Sequence, residues 1–231
     1  FGIKELASQL MLVEIDLLEP MLGIPEANYQ KLCDVTGQII HCASDTSFAE
    51  RKRETVFKSN VKSLAGILEF AKNAGVNFFH YISTAYVAGA NVTLCKEDIS
   101  SSTDYLNVYE ESKAQAEKVI ASFCKKHSIP FTIIRPSIVY GDSQTGRSLK
   151  FNALYLPLKS LKFVRDIYLN DIKNHGGRKS DQYGIFIDDE GYLRLPLRIY
   201  LPKDGALNLI PVDYFVSATM KIIANTSSGG I

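Results

Sequence analysis

The sequence predicts an α/β fold: a doubly wound parallel sheet with helices on both faces. Three observations predict it. Short apolar runs of strand length alternate with longer stretches whose apolar residues recur every three or four positions. The strand-length runs carry Ile, Val and Phe at successive positions, as strands covered on both faces require. The chain has 231 residues and is 46% apolar, enough for one sizeable core.

In chain order, residues 12–17 (Leu-Val-Glu-Ile-Asp-Leu) read as the first strand. Pro25 opens a short helix that ends near Gly37, since proline suits a first helical turn and glycine a helix end. Residues 38–43 form a second strand-length run. Over 53–73, Val56, Phe57, Val61, Leu64, Leu68 and Ala71 share one helical face, and Gly75 closes that helix. Residues 78–82 give a third strand. The stretch 104–127 contains a long helix with Val119, Ile120 and Phe123 on its apolar side, and 131–134 give a fourth strand after Pro130. Helices of this length between strands imply right-handed crossovers and parallel pairing.

The rhythm breaks after Gly141. Residues 143–206 hold Gly176-Gly177, two charge clusters and β-like runs such as 192–200, and read as a small inserted substrate lobe. Strand character returns at 207–211, and 213–224 make a closing amphipathic helix. The expected division is a core of 1–142 and 207–231 with a lobe of 143–206.

Composition excludes several classes. With 26 Lys and Arg against 25 Asp and Glu, the net charge of +1 lacks the basic excess that a nucleic-acid binder uses to neutralise phosphates. A mean hydropathy of -0.01 argues against disorder. No apolar run approaches the length of a membrane span, and the first 30 residues lack the basic stretch and apolar core of a leader. The cysteines at 33, 42, 95 and 124 form no C-x2-C pair, so a reducing, cytoplasmic setting is expected. Cys42, inside the apolar run 39–43, is expected to be a buried thiol. Histidines 41, 80, 127 and 175 have no metal-ligand spacing, and no metal is expected.

In an open parallel sheet, ligands sit beyond the carboxyl ends of the strands. Past the third strand stand Ser83 and Thr84; on the long helix stand Tyr109 and Lys113; past the fourth strand runs Arg135-Pro136-Ser137-Ile138-Val139-Tyr140-Gly141. A tyrosine and a lysine four residues apart share one helix face. The ammonium favours the phenolate, so the phenol can pass a proton to a carbonyl oxygen near neutral pH, and a nearby hydroxyl can hold that oxygen. This pairing suits hydride transfer from a nicotinamide. With 12 tyrosines and 18 lysines, about one such pair arises by chance, and the spacing equally suits a solvated helix face. A second pair, Tyr155 and Lys159, is set aside because Pro157 between them is expected to disturb a helix.

Taken together, Ser83-Thr84-Ala85-Tyr86-Val87, Tyr109-x3-Lys113 and the run 135–141 resemble the extended short-chain dehydrogenase/reductase family, whose fold is Rossmann-like. Upstream, Asp16-Leu17-Leu18-Glu19-Pro20 with Leu22-Gly23, and Ile39-Ile40-His41-Cys42-Ala43-Ser44, resemble its male sterility-type subgroup of fatty acyl-CoA and carrier-protein thioester reductases. Leu209-Ile210-Pro211-Val212-Asp213-Tyr214 is similar to a late strand-to-helix turn of the family.

The resemblance implies roles. Tyr109 would donate the proton. Lys113 would lower its pKa and hold the nicotinamide ribose. Thr84, or less favourably Ser83, would bond the substrate oxygen. Asp16 and Leu17 would lie against the adenine, His41, Cys42, Ala43 and Ser44 would line the NADP or NAD, Asn60 would sit behind it, and Pro136, Ser137 and Ile138 would contact the nicotinamide. Plainer roles stand beside these: Asn60 satisfying backbone groups, His41 as a packed strand residue, and Asp16 capping the following turn.

One departure stands out. The family's opening Gly-rich turn, which cradles the pyrophosphate, has no counterpart: no two of the 15 glycines stand two or three apart. Residues 1–10 resemble the helix before the family's third strand, so the Rossmann-like sheet is expected to be N-terminally truncated, with further domains possible upstream.

The resemblance implies an NAD(P)H-dependent reductase of an acyl thioester on coenzyme A or a carrier protein. Two alternatives stay open. One is a nucleotide-sugar epimerase or dehydratase, with Arg147, Arg165, Arg178, Arg194 or Arg198 clamping a diphosphate. The other is a non-catalytic module. Leu154, Leu156, Leu158, Leu161 and Phe163 could floor an acyl channel or form core.

Overall fold

The computed structural model describes residues 9–90, 95–149, 155–198 and 207–226. They form two compact units: Phe1–Ser137 with Ala218–Ile231, and Ile138–Ser217. The breaks fall at 137/138 and 217/218, where the sequence suggested 142/143 and 206/207. Most of the segment 1–10, together with Leu154 and residues 199–206, lies outside the described residues.

In the first unit, Pro25 precedes α1 (Glu26–Val35), and β1 (Gln38–His41) follows. The predicted helix over 53–73 is two helices, α2 (Arg53–Phe57) and α3 (Leu64–Ala74), joined by a π turn at Lys58–Lys62. There the Ser63 N–H reaches back to Lys58 O at 3.1 Å. Gly75 ends α3 in the left-handed conformation, φ 59°, which costs glycine no Cβ clash. Then come β2 (Phe78–Ile82), α4 (Val108–Lys126) and β3 (Phe131–Ile134).

The strands pair in parallel in the order β1-β2-β3, with His41 opposite Tyr81 and Tyr81 opposite Ile133. This is the α/β parallel architecture expected of a Rossmann-like fold. The face bearing Ile39, Phe79, Tyr81 and Ile133 packs into one core with Tyr29 and Cys33 of α1, Leu64 and Leu68 of α3, and Ala116, Ile120 and Cys124 of α4. Burial of such side chains contributes about 1.5–3 kcal/mol each before entropy is charged against it.

Residues 12–17 are not a strand. They run extended into a turn, and Leu12 is 97% exposed. The alternation of a strand is present, but among the described residues no neighbouring strand offers them a ladder. Asp16 does cap the turn that follows: its Oδ1 accepts the Leu18 N–H at 2.9 Å, and its own N–H reaches Leu22 O.

The second unit holds β4 (Ile138–Tyr140), α5 (Tyr155–Asn174), α6 (Arg178–Gln182), the short antiparallel pair β5 (Phe186–Ile187) and β6 (Leu193–Arg194), and β7 (Leu209–Pro211) parallel to β4. The parallel strands therefore form a three-stranded sheet and a separate pair. The last helix, α7 (Val212–Asn225), begins in the second unit, where Asp213 accepts both the N–H and the hydroxyl of Ser143. Pro157 lies in the first turn of α5, where its missing N–H costs no helical bond, so it does not interrupt the helix as expected. No described helix is long and apolar enough to cross a membrane.

Candidate active site

The start of α4 is fixed from both sides. Asn107 Oδ1 accepts the Glu110 N–H at 3.1 Å, and the Glu110 carboxylate accepts the Leu106 N–H and an Asn107 side-chain N–H. This reciprocal cap starts the helix immediately ahead of Tyr109. Tyr109 is half-buried, its ring stacked on Phe48 with centroids 5.7 Å apart. The Thr84 side chain, at the carboxyl end of β2, lies close enough to this phenol to pull its pKa down. Thr84 also caps the turn Ala85–Ala88 through the Tyr86 N–H. Burial raises the phenol pKa, and the Thr84 side chain opposes that rise. The expected lowering by Lys113 is absent from the balance.

One helical turn on, the Lys113 ammonium is almost wholly buried. It donates to Ile82 O at 2.6 Å and lies 4.1 Å from the Tyr81 ring centroid. Burial pulls its pKa down to about 7, and the Glu117 carboxylate pulls against that.

The other predicted residues divide. Asp16, Leu17, Ala43 and Ser44 line a groove of about 820 Å³ beside the exit of β1, together with Ser59 and Ser63. Cys42 is exposed rather than buried, because in this strand it is His41 and Ile39 that face the core. His41 stacks on Phe79 and Tyr81, and burial drops its pKa to about 4, so it is a neutral packed residue. Asn60 is buried on the π turn. It accepts from Ser44 Oγ and the Asp45 N–H and donates to Asp45 O and Ser112 Oγ. Its polar atoms are thus engaged within the protein, and it holds the loop after β1 against α4. The Ser83 hydroxyl is buried without a partner. Pro136 O accepts the Ala85 N–H, and Ser137 closes the first unit; Ile138 opens β4 in the second.

Three contributors were missed. Phe48 walls the tyrosine. Glu117 and Arg135 form a buried pair beside Lys113. A glutamate four residues beyond the lysine, on the apolar side of the helix, was the available signal for that pair.

Hydroxyls of Ser44, Ser59 and Ser63 and carboxylates of Glu14, Asp16 and Asp45 beside apolar residues, as in the groove, suit the ribose and adenine of a dinucleotide. The comparison with known families agrees. The family model described as male sterility protein, an NAD-binding domain, matches residues 2–219. The chain belongs to this family. Two solved structures share its fold. The terminal R domain from the myxalamid PKS-NRPS biosynthetic pathway superposes with a TM-score of 0.73 at 24% identity, over 97% of this chain and 49% of that one. UDP-glucuronic acid 4-epimerase from Bacillus cereus, in complex with UDP-glucuronic acid and NAD, gives 0.60 at 19% identity, over 92% and 56%.

Among curated relatives, the hybrid PKS-NRPS synthetase pvhA of Talaromyces variabilis is 34% identical over 130 residues, 55% of this chain. The dTDP-D-glucose 4,6-dehydratase of Dictyostelium discoideum is 28% identical over 167 residues, 65% of this chain. The match spans 3% of the first of these proteins and 36% of the second.

Proposed function

We propose that this member of the male sterility family is the catalytic part of an NAD(P)H-dependent reductase that converts an acyl thioester, on coenzyme A or a carrier protein, to an aldehyde or alcohol. The observation that carries it is the Thr84–Tyr109 contact, at a strand's carboxyl end, with Lys113 one helical turn away. The relationship to PKS-NRPS synthetases supports a carrier-bound substrate and a place within a larger polypeptide. Four free cysteines agree with a reducing cytoplasm.

Asp16, Leu17, Ala43 and Ser44 would hold the adenine half of the cofactor, and Pro136 with Ser137 the nicotinamide end. The cofactor, when bound, supplies a hydride to the acyl carbon. Thr84 holds the carbonyl oxygen, and the Tyr109 phenol gives it a proton, so neither hydride nor proton is left unbalanced. The resulting hemithioacetal releases the thiol and leaves the aldehyde. Lys113, charged, steadies the phenolate that Tyr109 becomes.

The test uses the full-length protein with an acyl thioester and NADPH or NADH, following loss of nicotinamide absorbance. Turnover is expected, and Tyr109→Phe should lower it by about 10²–10⁴-fold with the fold unchanged by circular dichroism. Absence of turnover with either cofactor on coenzyme A and carrier substrates alike would sink the proposal. The dehydratase relative keeps a second reading, a nucleotide-sugar epimerase or dehydratase, in play. Against it, Arg165 and Arg194 already pair with Asp166 and Asp188, so fewer guanidinium groups remain for a diphosphate clamp.

A further inference from the structure

A buried ion pair lies beside the proposed site and has no part in the proton transfer. Glu117 is fully buried one helical turn after Lys113, so the two charged side chains share a face of α4. Arg135, just past the end of β3, grips the carboxylate with two donors, Nε to Oε1 at 3.0 Å and Nη2 to Oε2 at 2.6 Å. Its remaining reach is spent on the loop before α4: Nη1 donates to Lys96 O at 3.0 Å and Nη2 to Asp98 O at 2.8 Å. Strand end, helix and loop are thus joined through one guanidinium.

Placing a carboxylate here carries a desolvation cost of several kcal/mol, and an apolar pair of the same volume would often be no less stable. A structural role alone explains it poorly. What an apolar pair cannot supply is negative charge next to Lys113. The groups facing that ammonium are His41 of β1, Cys42 beyond it, Tyr81 of β2 and Glu117 of α4. His41 is neutral and Tyr81 is protonated. Glu117 alone among them offers an opposite charge.

We propose that Glu117 and Arg135 are the positioning pair of the site: Arg135 fixes the carboxylate, and the carboxylate holds the buried Lys113 ammonium charged and in place. Burial works to discharge that lysine, and Glu117 opposes it. The inference rests on Lys113 acting in its charged form, but its test needs no turnover.

The experiment titrates Lys113 by NMR in the ligand-free full-length protein labelled at the lysine side chains, with Lys113→Arg giving the assignment. Without the carboxylate the charged form loses its support. Glu117→Gln should therefore lower the Lys113 midpoint by about one pH unit or more. Glu117→Asp should recover part of that loss. The alkaline limb of the pH–rate profile should move down with the midpoint. An unchanged midpoint in folded Glu117→Gln overturns the proposal, and so does a rise toward the ordinary lysine value, which would report an opened site. If Glu117→Gln does not fold, Arg135→Gln decides: freed of its partner, the carboxylate should raise the Lys113 midpoint, and a fall or no change overturns the pair's role. Failure of thioester reduction with these titrations intact would count against the proposed function alone.

Discussion

The two long helices of the chain make a useful contrast. α4 has nineteen residues and buries ten of them, among them Ser112, Lys113 and Glu117. α5 has twenty, and none of its described residues is buried. Leu156, Leu158, Phe163 and Ile167 of α5 stand exposed, although the apolar count of the two sequences is similar. The difference teaches what holds a side chain in a fixed place. In α4, Ile120 and Cys124 are locked into the same core as the sheet, and that anchorage is what delivers Tyr109 to Thr84. α5 has the length and the periodicity of a core helix without a described surface to receive its apolar face.

The contrast is broken most directly by deleting one apolar side chain from each helix. Ile120→Ala empties a fully buried position in the core that also holds Phe79 and Ile133, and should cost about 2–5 kcal/mol. Phe163→Ala removes a ring that is 66% exposed and should change stability by no more than about 0.5 kcal/mol. Urea unfolding measures both. A comparable loss from Phe163→Ala would show that α5 is packed after all, and the contrast would fail.

How far the sequence revealed this depends on which partner each element needs. The strands at 78–82 and 131–134 were legible because their apolar residues face neighbours on both sides. Residues 12–17 carry the same alternation, yet a strand also needs a ladder, and pairing partners are not written in a period of two. The break in the helix over 53–74 was hidden for a related reason: one extra residue in the π turn leaves the apolar spacing on either side intact. At the proposed site, residue types in a known order singled out Thr84, Tyr109 and Lys113. Cys42 was misjudged because a run of apolar neighbours does not say which alternate residue faces inward. Glu117 and Arg135 went unnoticed because a charge is ordinarily a sign of solvent, and only the fold shows that each buries the other.

A second substitution sharpens the contrast within the first unit. At Gly66 on α3 an added Cβ would collide with Leu17 O, backbone that cannot turn aside. In an exposed helix Gly→Ala gains up to about 1 kcal/mol. Here Gly66→Ala should instead cost about 1–3 kcal/mol, because the turn bearing Asp16 and Leu17 must shift. Since that turn edges the groove, NAD(P)H affinity should fall with it, read by fluorescence titration. Stabilisation by Gly66→Ala would mean that the turn is held more loosely than its contacts imply.

The smallest effect concerns how each helix is held at its polar contacts. Asn107 accepts a backbone N–H at the start of α4 and also bonds Glu110, whose carboxylate returns to Leu106 N–H. Removing it orphans a donor and loosens the turn that bears Tyr109, so Asn107→Ala should cost about 1 kcal/mol. On α5 the corresponding polar contact is an exposed pair, Lys162 with Asp166, one turn apart. Water already solvates both charges, and ordering two flexible side chains offsets most of the attraction. Lys162→Ala should therefore change stability by less than about 0.5 kcal/mol. The two also differ in salt dependence. Added salt should erase whatever Lys162 contributes, while the Asn107 bond, neutral and partly sheltered, should survive it. Equal and equally salt-sensitive losses would show that α4 owes its position to its core contacts alone, with the cap adding nothing that places Tyr109.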